Sequence, residues 1–449
     1  MKIFAACLLV AAAIALGLTT ANGGAAASAH RALGAVPHRH GSAHRVAAPR
    51  KTAGFTCGSS CSSYELAINK FFTDVAAASG AATNVYDVAT QYCEGVATSA
   101  TSCGGLGTPI AYSSTFGGAY VDGRPLPAST CNDAVTINFV RYADKYCLTD
   151  AQIQTEIKSV ITAKGWPTDS TRLFFIFTPA NVGVCEFGGN PSDANACSTT
   201  VFCAYHSSTL SHIIYAVELD AAQIPDGGCD SGQTPVGSGA DATISTISHE
   251  HNEAITDPLG DGWYAADGSE NGDLCAYNFG SPIGTALNGQ AYNQVINGTD
   301  YWLQQEYSNA DGGCLQQPDG TVSQVLPNGG VGPLVYQGGS VMTTNTAYAI
   351  YWVPAAPANT VLPKIFGTPK VGKKLTASRG TWSNSPKFTY RWLRCSSAGT
   401  SCKGITSATA SSHVLVTAGA GPRLEVRVTA TNAAGSASAT SAPTVPIKK

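Results

Sequence analysis

The segment from Ser248 to Pro258, SHEHNEAITDP, contains the residues whose types and spacing are best suited to chemistry. On a helix, His249 and Glu253 would lie one turn apart on the same face, where both side chains can bind one metal ion. Glu250 occupies the place of the general base in the His-Glu-x-x-His pattern of metalloproteases. A glutamate stands here for the second histidine of that pattern, and glutamate also binds zinc. The segment therefore predicts two metal ligands and a base on one helix.

A catalytic zinc ion needs a third protein ligand and an open position for water. The candidates for this ligand are Asp257, Glu270, Asp273 and His206. Asp257 continues the helical row at its end, whereas Glu270 and Asp273 follow in a loop. With the site complete, Glu250 would take a proton from the zinc-bound water, and the reaction would be hydrolysis of an amide or an ester.

The surroundings of this motif are acidic and contain no fixed positive charge. No lysine or arginine occurs between Arg172 and Lys364. The acids near the motif are Glu250, Glu253, Asp257, Asp261, Asp267, Glu270 and Asp273. If several of them converge, either their pKa values rise or a metal ion neutralises them. Imidazole favours zinc, whereas oxygen-rich loops at 257–262 and 267–273 would suit calcium. Zinc is the expected cofactor and calcium the alternative; without a metal, the acids would form a solvated helix face.

Charge divides the chain into three parts. Residues 1–51 contain six lysine or arginine residues and no acid. Residues 52–361 contain seven lysine or arginine residues and 28 acids, whereas residues 362–449 contain 13 lysine or arginine residues and one acid. Such asymmetry predicts separate modules. The acidic body argues against nucleic acid as a partner, because nucleic-acid binding depends on basic side chains that neutralise phosphates. The basic C-terminal module could contact anionic polymers of a cell surface.

The N-terminal sequence predicts export. An apolar run from Ile3 to Leu18 and the tripeptide at 27–29 indicate a signal peptide over 1–29. No other stretch is long and apolar enough for a stable membrane span. Of the 15 cysteines, Cys7 lies in the signal peptide, which leaves an even number suited to disulfides, with Cys395 and Cys402 as an expected pair.

Periodicity and composition predict the elements and domains. Helices are predicted over 62–78, from 149 to about 161, and from 241 to 257, and buried strands over 173–178 and 212–219. Together they predict an α/β (or α+β) domain over 55–353, preceded by a basic linker or pro-segment at 30–54. A Pro/Ala-rich linker at 354–363 then leads to a small all-β sandwich at 364–449.

Several segments of the acidic body resemble the exordium / phosphate-induced protein 1 family, a secreted plant family with bacterial relatives. The segments are Gln91–Gly95, Thr178–Cys185, Cys203–His206, the His-Glu-x-x-Glu helix, Gly262–Tyr264 and Glu270–Cys275. The resemblance covers most of 55–315. It implies one metalloprotease-like α/β domain with disulfides and, in plants, a link to the cell wall and growth. Some plant members lack the His-Glu pair, so the resemblance locates the site more than it fixes the chemistry.

Two further segments carry resemblances of their own. Val335–Trp352 is similar to the strand that opens the family's domain, yet here it follows the site. Because domain termini often lie close together, we predict that this strand pairs back into the acidic domain's sheet, and a truncated second copy is the alternative. The tail from Lys364 resembles bacterial immunoglobulin-like repeats, through Gly380–Trp382, Tyr390–Cys395 and Thr429–Gly435. This resemblance implies a spacer or adhesion module.

The leading functional prediction is a secreted, zinc-dependent hydrolase of metallopeptidase type that acts on a peptide or a cell-wall substrate. One alternative is a non-catalytic extracellular protein, cell-wall-associated or signalling, on the same scaffold. Another is a calcium-stabilised surface adhesion protein.

Overall fold

A computed structural model describes most of the chain from residue 62 onwards. The described ranges are 62–137, 140–142, 146–185, 197–198, 202–221, 229–318, 320–323, 331–384, 387–416, 421–432 and 435–449. The signal peptide predicted at 1–29 and the basic segment predicted at 30–54 lie outside them. Within these ranges, none of the helices has the length and apolar character needed to cross a bilayer.

Three α-helices of the mixed α/β architecture begin and end close to the predicted positions: α1 Ser63–Ala77, α2 Asp150–Lys164 and α3 Asp241–Thr256. The Ser62 hydroxyl accepts a hydrogen bond from the Glu65 amide at 3.4 Å and so caps α1. α2 ends at Gly165, whose φ of +64° is the left-handed conformation that favours glycine. Short 3₁₀ helices occupy Val85–Gln91 and Asp273–Cys275.

A five-stranded sheet forms the centre of the acidic body. Its strands in chain order are β1 Ser114–Asp122, β2 Arg172–Phe177, β3 Ala204–Ser208, β4 Ile214–Glu218 and β5 Asn345–Trp352. Across the sheet the order is β1-β5-β2-β4-β3. Neighbours are parallel except β3, an edge strand antiparallel to β4.

Helices cover both faces of this sheet. Leu173, Phe175 and Phe177 of β2 pack into one apolar cluster with α1 and α3, whereas Phe174 and Ile176 pack into a second cluster with α2. Strands buried on both faces need continuous apolar sequence, which explains the Leu-Phe-Phe-Ile-Phe run.

The predicted return of the chain into the sheet is confirmed. β5 lies between β1 and β2, is parallel to both, and is buried along its whole length. Val335–Tyr336 also pairs with Trp263–Tyr264 just after α3. A strand from the far end of the body therefore completes the centre of the sheet.

Short ladders and disulfides hold the connecting segments. The ladders pair Cys93–Glu94 with Thr108–Pro109, Val135–Ile137 with Val140–Tyr142, Tyr146–Thr149 with Val182–Cys185, Gly284–Thr285 with Ala291–Tyr292, Gln294–Ile296 with Thr299–Tyr301, and Glu306–Ser308 with Gly313–Leu315. The disulfides of the described residues are 93–103, 131–147, 185–197, 203–229, 275–314 and the predicted 395–402. Such bonds are consistent with an oxidising, extracellular environment.

The tail consists of short antiparallel strands. They are β6 Ile365–Phe366, β7 Lys374–Ala377, β8 Lys387–Cys395, β9 Lys403–Gly404, β10 Ser412–Val414, β11 Arg423–Asn432 and β12 Gly435–Thr440. They form a three-stranded sheet, β6-β7-β10, and a four-stranded sheet, β9-β8-β11-β12. Leu375 of β7 and Trp392 of β8 share one buried cluster. Within the predicted linker, Ala358–Val361 pairs with Thr381–Ser383 of the tail. The immunoglobulin-like assignment stays a prediction.

The position of β5 predicts how the body responds to truncation. A chain ending after Ala356 keeps β5 and the hydrogen bond from the Ala355 amide to the Gly123 carbonyl, so we expect cooperative urea unfolding of the body, followed by tryptophan fluorescence. A chain ending after Thr344 loses a central buried strand and exposes two strand edges, so we expect no cooperative transition. Equal unfolding midpoints for the two chains would show that β5 is dispensable.

A buried acid pair joins β1 to α2 on the side of the sheet away from α3. Asp122 and Glu156 both accept hydrogen bonds from Arg124 Nη2, at 2.5 and 2.8 Å. Burial and the neighbouring Asp122 carboxylate raise the pKa of Glu156 to about 8 from its ordinary 4.5. The folded state therefore holds a proton that the unfolded chain releases above about pH 4.5.

This proton makes stability fall with rising pH. The contribution is fully present below pH 4.5 and is lost as the pH rises through about 8, because the folded state binds the proton more tightly over that window. We expect Glu156→Gln, which stays uncharged, to flatten the dependence by up to about 1.4 kcal/mol per pH unit. Urea unfolding of both proteins from pH 5 to 8 measures this slope, and parallel curves would contradict the assignment.

Candidate functional site

The helix that carries the His-Glu-x-x-Glu motif is enclosed by the rest of the body. Every residue of α3 except His249 is buried. The Thr246 hydroxyl donates to Glu218 Oε2 at 2.8 Å, which ties the helix to the end of β4. The motif is therefore fixed in an interior position, unlike the solvated acidic face that was the alternative.

His249 and Glu253 meet as their spacing predicts. His249 Nε2 lies 3.1 Å from Glu253 Oε1 and 4.0 Å from Asp273 Oδ1. Ligand atoms of these three residues lie within 4.8 Å of one another, close enough to hold one metal ion. The side chains of His249 and Asp273 are 12% and 17% exposed, so this part of the site has access to solvent.

His206 enters the site from the edge strand β3. It pairs with Ala216 of β4, whose side chain packs in the cluster that contains α3, so the strand register places the imidazole on the α3 side of the sheet. Its Nδ1 lies 3.4 Å from Glu250 Oε2 and 3.6 Å from Glu253 Oε2. Its Nε2 lies 3.6 Å from Glu270 Oε2. His206, Glu253 and Glu270 form a second group whose ligand atoms lie within 4.8 Å.

The loop that supplies Glu270 and Asp273 is pinned at several points. The Asp273 amide donates to Glu253 Oε1 at 2.8 Å. Asn271 accepts a hydrogen bond from the Thr256 hydroxyl and donates to Glu306, each at 2.7 Å. The disulfide from Cys275 to Cys314 anchors the end of the loop. These bonds hold the two loop acids against the helix.

Two buried acids near the site were missed by the sequence reasoning. Glu218 and Glu306 are both completely buried, and each has one carboxylate oxygen without a hydrogen-bond partner. Glu218 lies at the carboxyl end of the apolar strand β4, and ligands often bind at such ends in α/β sheets. Glu306 has no comparable local signal, because its partners lie far away in sequence.

The electrostatics of the site divide its members into two classes. Burial would lower the pKa of both histidines, but the surrounding carboxylates, led by Glu270 for His206 and by Glu253 for His249, raise the pKa of each well above its usual range. Burial would raise the pKa of Glu253, yet His249 and His206 hold it below its ordinary value. Glu253 is therefore the carboxylate that stays ionised, between two imidazoles.

The other acids of the site retain their protons more strongly. Burial is the main cause that raises the pKa of Glu250, Glu270, Glu306 and Glu218, and it raises the pKa of Asp273 to about 8. No lysine or arginine occurs near them in sequence. A divalent cation could replace these protons and stabilise the ionised carboxylates.

The remaining candidates lie differently. Asp257 Oδ1 accepts the Gly262 amide at 2.7 Å, and the backbone oxygen of Asp257 contacts His206 at 3.2 Å, so its carboxylate is in neither ligand group. His251 is buried and contacts Tyr86 and Asn345, so it packs in the interior away from both ligand groups. His212, predicted to open a strand, lies exposed in the turn before β4.

With the geometry established, comparison with known proteins gives one relevant similarity. The chain is similar to Protein EXORDIUM-like 3 of Arabidopsis thaliana, with 29% identity over 178 residues. The alignment covers 34% of this chain, and the chain spans about half the length of that curated relative, 50%. This partial similarity supports a relationship to the exordium family. No protein-family model and no solved structure matches the chain.

Gly272 offers a test of the site in which no ligand residue is substituted. Its backbone is helical, with φ −72° and ψ −46°, so any residue can adopt it. A Cβ atom there would lie 2.8 Å from Glu253 Oε1 and 2.9 Å from His249 Nδ1, too close for either side chain to stay where it is. We expect Gly272→Ala to weaken zinc binding at least tenfold, about 1.4 kcal/mol, as measured by isothermal titration.

Gly123→Ala is the matched control, because the nearest atom to its added Cβ would be 3.9 Å away. Thermal unfolding of both variants checks that the fold is kept. Wild-type zinc affinity in Gly272→Ala would mean that the His249–Glu253 pair takes no part in binding.

Proposed function

We propose that this chain is a secreted, zinc-dependent hydrolase of metallopeptidase type. His249, Glu253 and Asp273 bind the metal ion, and Glu250 is the general base. The observation that carries the proposal is the close approach of His249, Glu253 and Asp273 beside Glu250, on a buried helix with no basic residue near it in sequence. The relationship to the exordium family is compatible with this proposal and gives no reaction.

The donor set suits zinc better than calcium. One imidazole and two carboxylates are typical zinc ligands, whereas calcium prefers six to eight oxygen atoms. A zinc ion bound there would polarise a carbonyl group and lower the pKa of a bound water. The partial exposure of His249 and Asp273 places the solvent-accessible part of the site on that side.

Glu250 has the properties of a base in such a site. Its burial raises its pKa above the ordinary value of a carboxyl group, which makes the carboxylate a stronger proton acceptor. The imidazole of His206, 3.4 Å away, fixes the orientation of its carboxylate. A proton accepted by Glu250 can pass to the leaving amine or alcohol.

The tail is proposed as an immunoglobulin-like module that contacts anionic polymers of a cell surface. Arg391 and Arg427 pair directly across β8 and β11, and both are exposed. With 13 basic residues against one acid in 362–449, its positive field favours such a partner.

Glu250→Gln tests the catalytic role. It keeps the size and burial of the side chain but cannot accept a proton, so we expect the turnover of a fluorescence-quenched mixed peptide library to fall at least about 100-fold. Bound zinc, measured by mass spectrometry of the metal, should stay at the wild-type level. Glu425→Gln, the same change in the tail, is the control and should leave turnover unchanged.

The outcomes separate the candidate functions. Equal turnover in Glu250→Gln and the wild type would exclude Glu250 as the base. A wild-type protein that binds zinc but cleaves no peptide would favour the non-catalytic extracellular role. Binding of calcium without zinc would favour the calcium-stabilised adhesion protein.

A further inference from the structure

His206 meets oxygen acceptors at both of its ring nitrogens. Nδ1 faces the carboxylates of Glu250 and Glu253, at 3.4 and 3.6 Å. Nε2 faces the backbone oxygen of Asp257 at 3.2 Å and Glu270 Oε2 at 3.6 Å. A neutral imidazole has one proton and cannot donate on both sides. One nitrogen of a neutral ring would therefore face its oxygen atoms without a proton, whereas an imidazolium, or a cation bound at that nitrogen, would satisfy both sides.

Glu270 gives a second, independent indication of a cation. Its side chain is buried, 4% exposed, and Oε2, the atom that faces His206, has no hydrogen-bond partner. Leaving a buried carboxylate oxygen without a donor is unfavourable. A metal ion between Glu270 and His206 would satisfy this oxygen. The ring nitrogen of His206 that does not bind the ion could then donate to an oxygen that faces it, as metal-bound histidines commonly do.

Glu253 connects this second place to the first. Its Oε1 faces His249 at 3.1 Å, and its Oε2 faces His206 at 3.6 Å. Among the residues that the structure describes, neither ligand group contains both histidines, and Glu253 belongs to both groups. Each oxygen of one carboxylate thus serves a different set of ligands.

We propose that the site holds two divalent cations bridged by Glu253, the second bound by His206, Glu253 and Glu270. This inference rests on the proposed function, whose zinc ion occupies the first position with His249 and Asp273. In two-metal hydrolase sites the ions lie about 3.5–4 Å apart, a separation that a bridging carboxylate spans. The candidates for a single third ligand then divide between two ions instead of competing for one.

The charge of the region agrees with more than one cation. Besides the ligands, the buried acids Glu218, Glu250 and Glu306 surround the site, without lysine or arginine near them in sequence. One divalent ion offsets two negative charges, and a second offsets two more. Two ions therefore leave fewer acids that must be neutralised by protons.

Metal stoichiometry of the full chain tests the inference directly. The protein is stripped with a chelator, titrated with zinc chloride alone, desalted, and its zinc content determined by mass spectrometry. We expect two equivalents in the wild type. X-ray absorption at the zinc edge should give a metal–metal distance of about 3.5–4 Å, a measurement that needs no variant.

Substitutions assign the two ions. His206→Gln and His249→Gln should each retain one equivalent, and Glu253→Gln should weaken binding of both at least tenfold. His212→Gln, the same change at an exposed histidine of the body, should retain two. Circular dichroism confirms that each variant is folded.

The zinc content of the wild type and the variants distinguishes a missing second site from a missing first site. One equivalent in the wild type, lost in His249→Gln and kept in His206→Gln, would overturn the second site and leave the first intact. No tightly held zinc in the wild type would overturn both. Two equivalents without a metal–metal distance would contradict the bridge.

Discussion

The ionised carboxylate of Glu253, held between the imidazoles of His249 and His206, is the interaction on which the site depends. A buried carboxylate is unfavourable unless opposite charges and hydrogen-bond donors surround it. Here the donors are two histidines and the amide of Asp273, and the other charged side chains that the structure describes in contact with these histidines are acidic. The arrangement therefore forces either proton retention by the neighbouring acids or the binding of cations. Binding of the proposed metal ions would consequently be linked to the stability of this region.

The fold can keep these buried acids close together because α3 is held from several sides. β4 contacts α3 through Glu218 and Thr246, the 269–275 loop is tied by Asn271 and a disulfide, and β5 closes the sheet beneath. Each support comes from a different part of the chain. Geometry at the site is thereby set by packed elements and by a loop that is tied to them, as a preorganised site requires.

The spacing of residues along the chain predicted the features that depend on neighbouring residues. The helices, the buried strands and the contact of His249 with Glu253 follow from periodicity within a few residues, and the structure has them. The division of Glu270, Asp273 and His206 between two ligand groups could not be read in this way. It depends on the register of β3 against β4 and on the path of a loop.

Glu306 could not be predicted from any local pattern, because it is joined to the site only by long-range contacts such as its hydrogen bond with Asn271. The pairing of β5 with the sheet was predicted from a family resemblance, and its central position between β1 and β2 comes from the structure alone.

Buried acids that no cation neutralises destabilise a protein, yet several are gathered at this point. A ligand that binds only the folded state adds stability in proportion to the logarithm of its concentration over Kd, about 2.7 kcal/mol at a hundredfold excess. In a body cross-linked by disulfides, the fold does not depend on that gain alone. If the proposed metal ions bind, the acids would serve ligand binding and proton transfer, at the cost of local stability in the metal-free protein. A purely structural calcium site would need none of the imidazoles, whereas the proposed hydrolytic zinc site would use their nitrogen atoms as ligands and Glu250, which contacts His206, as the base.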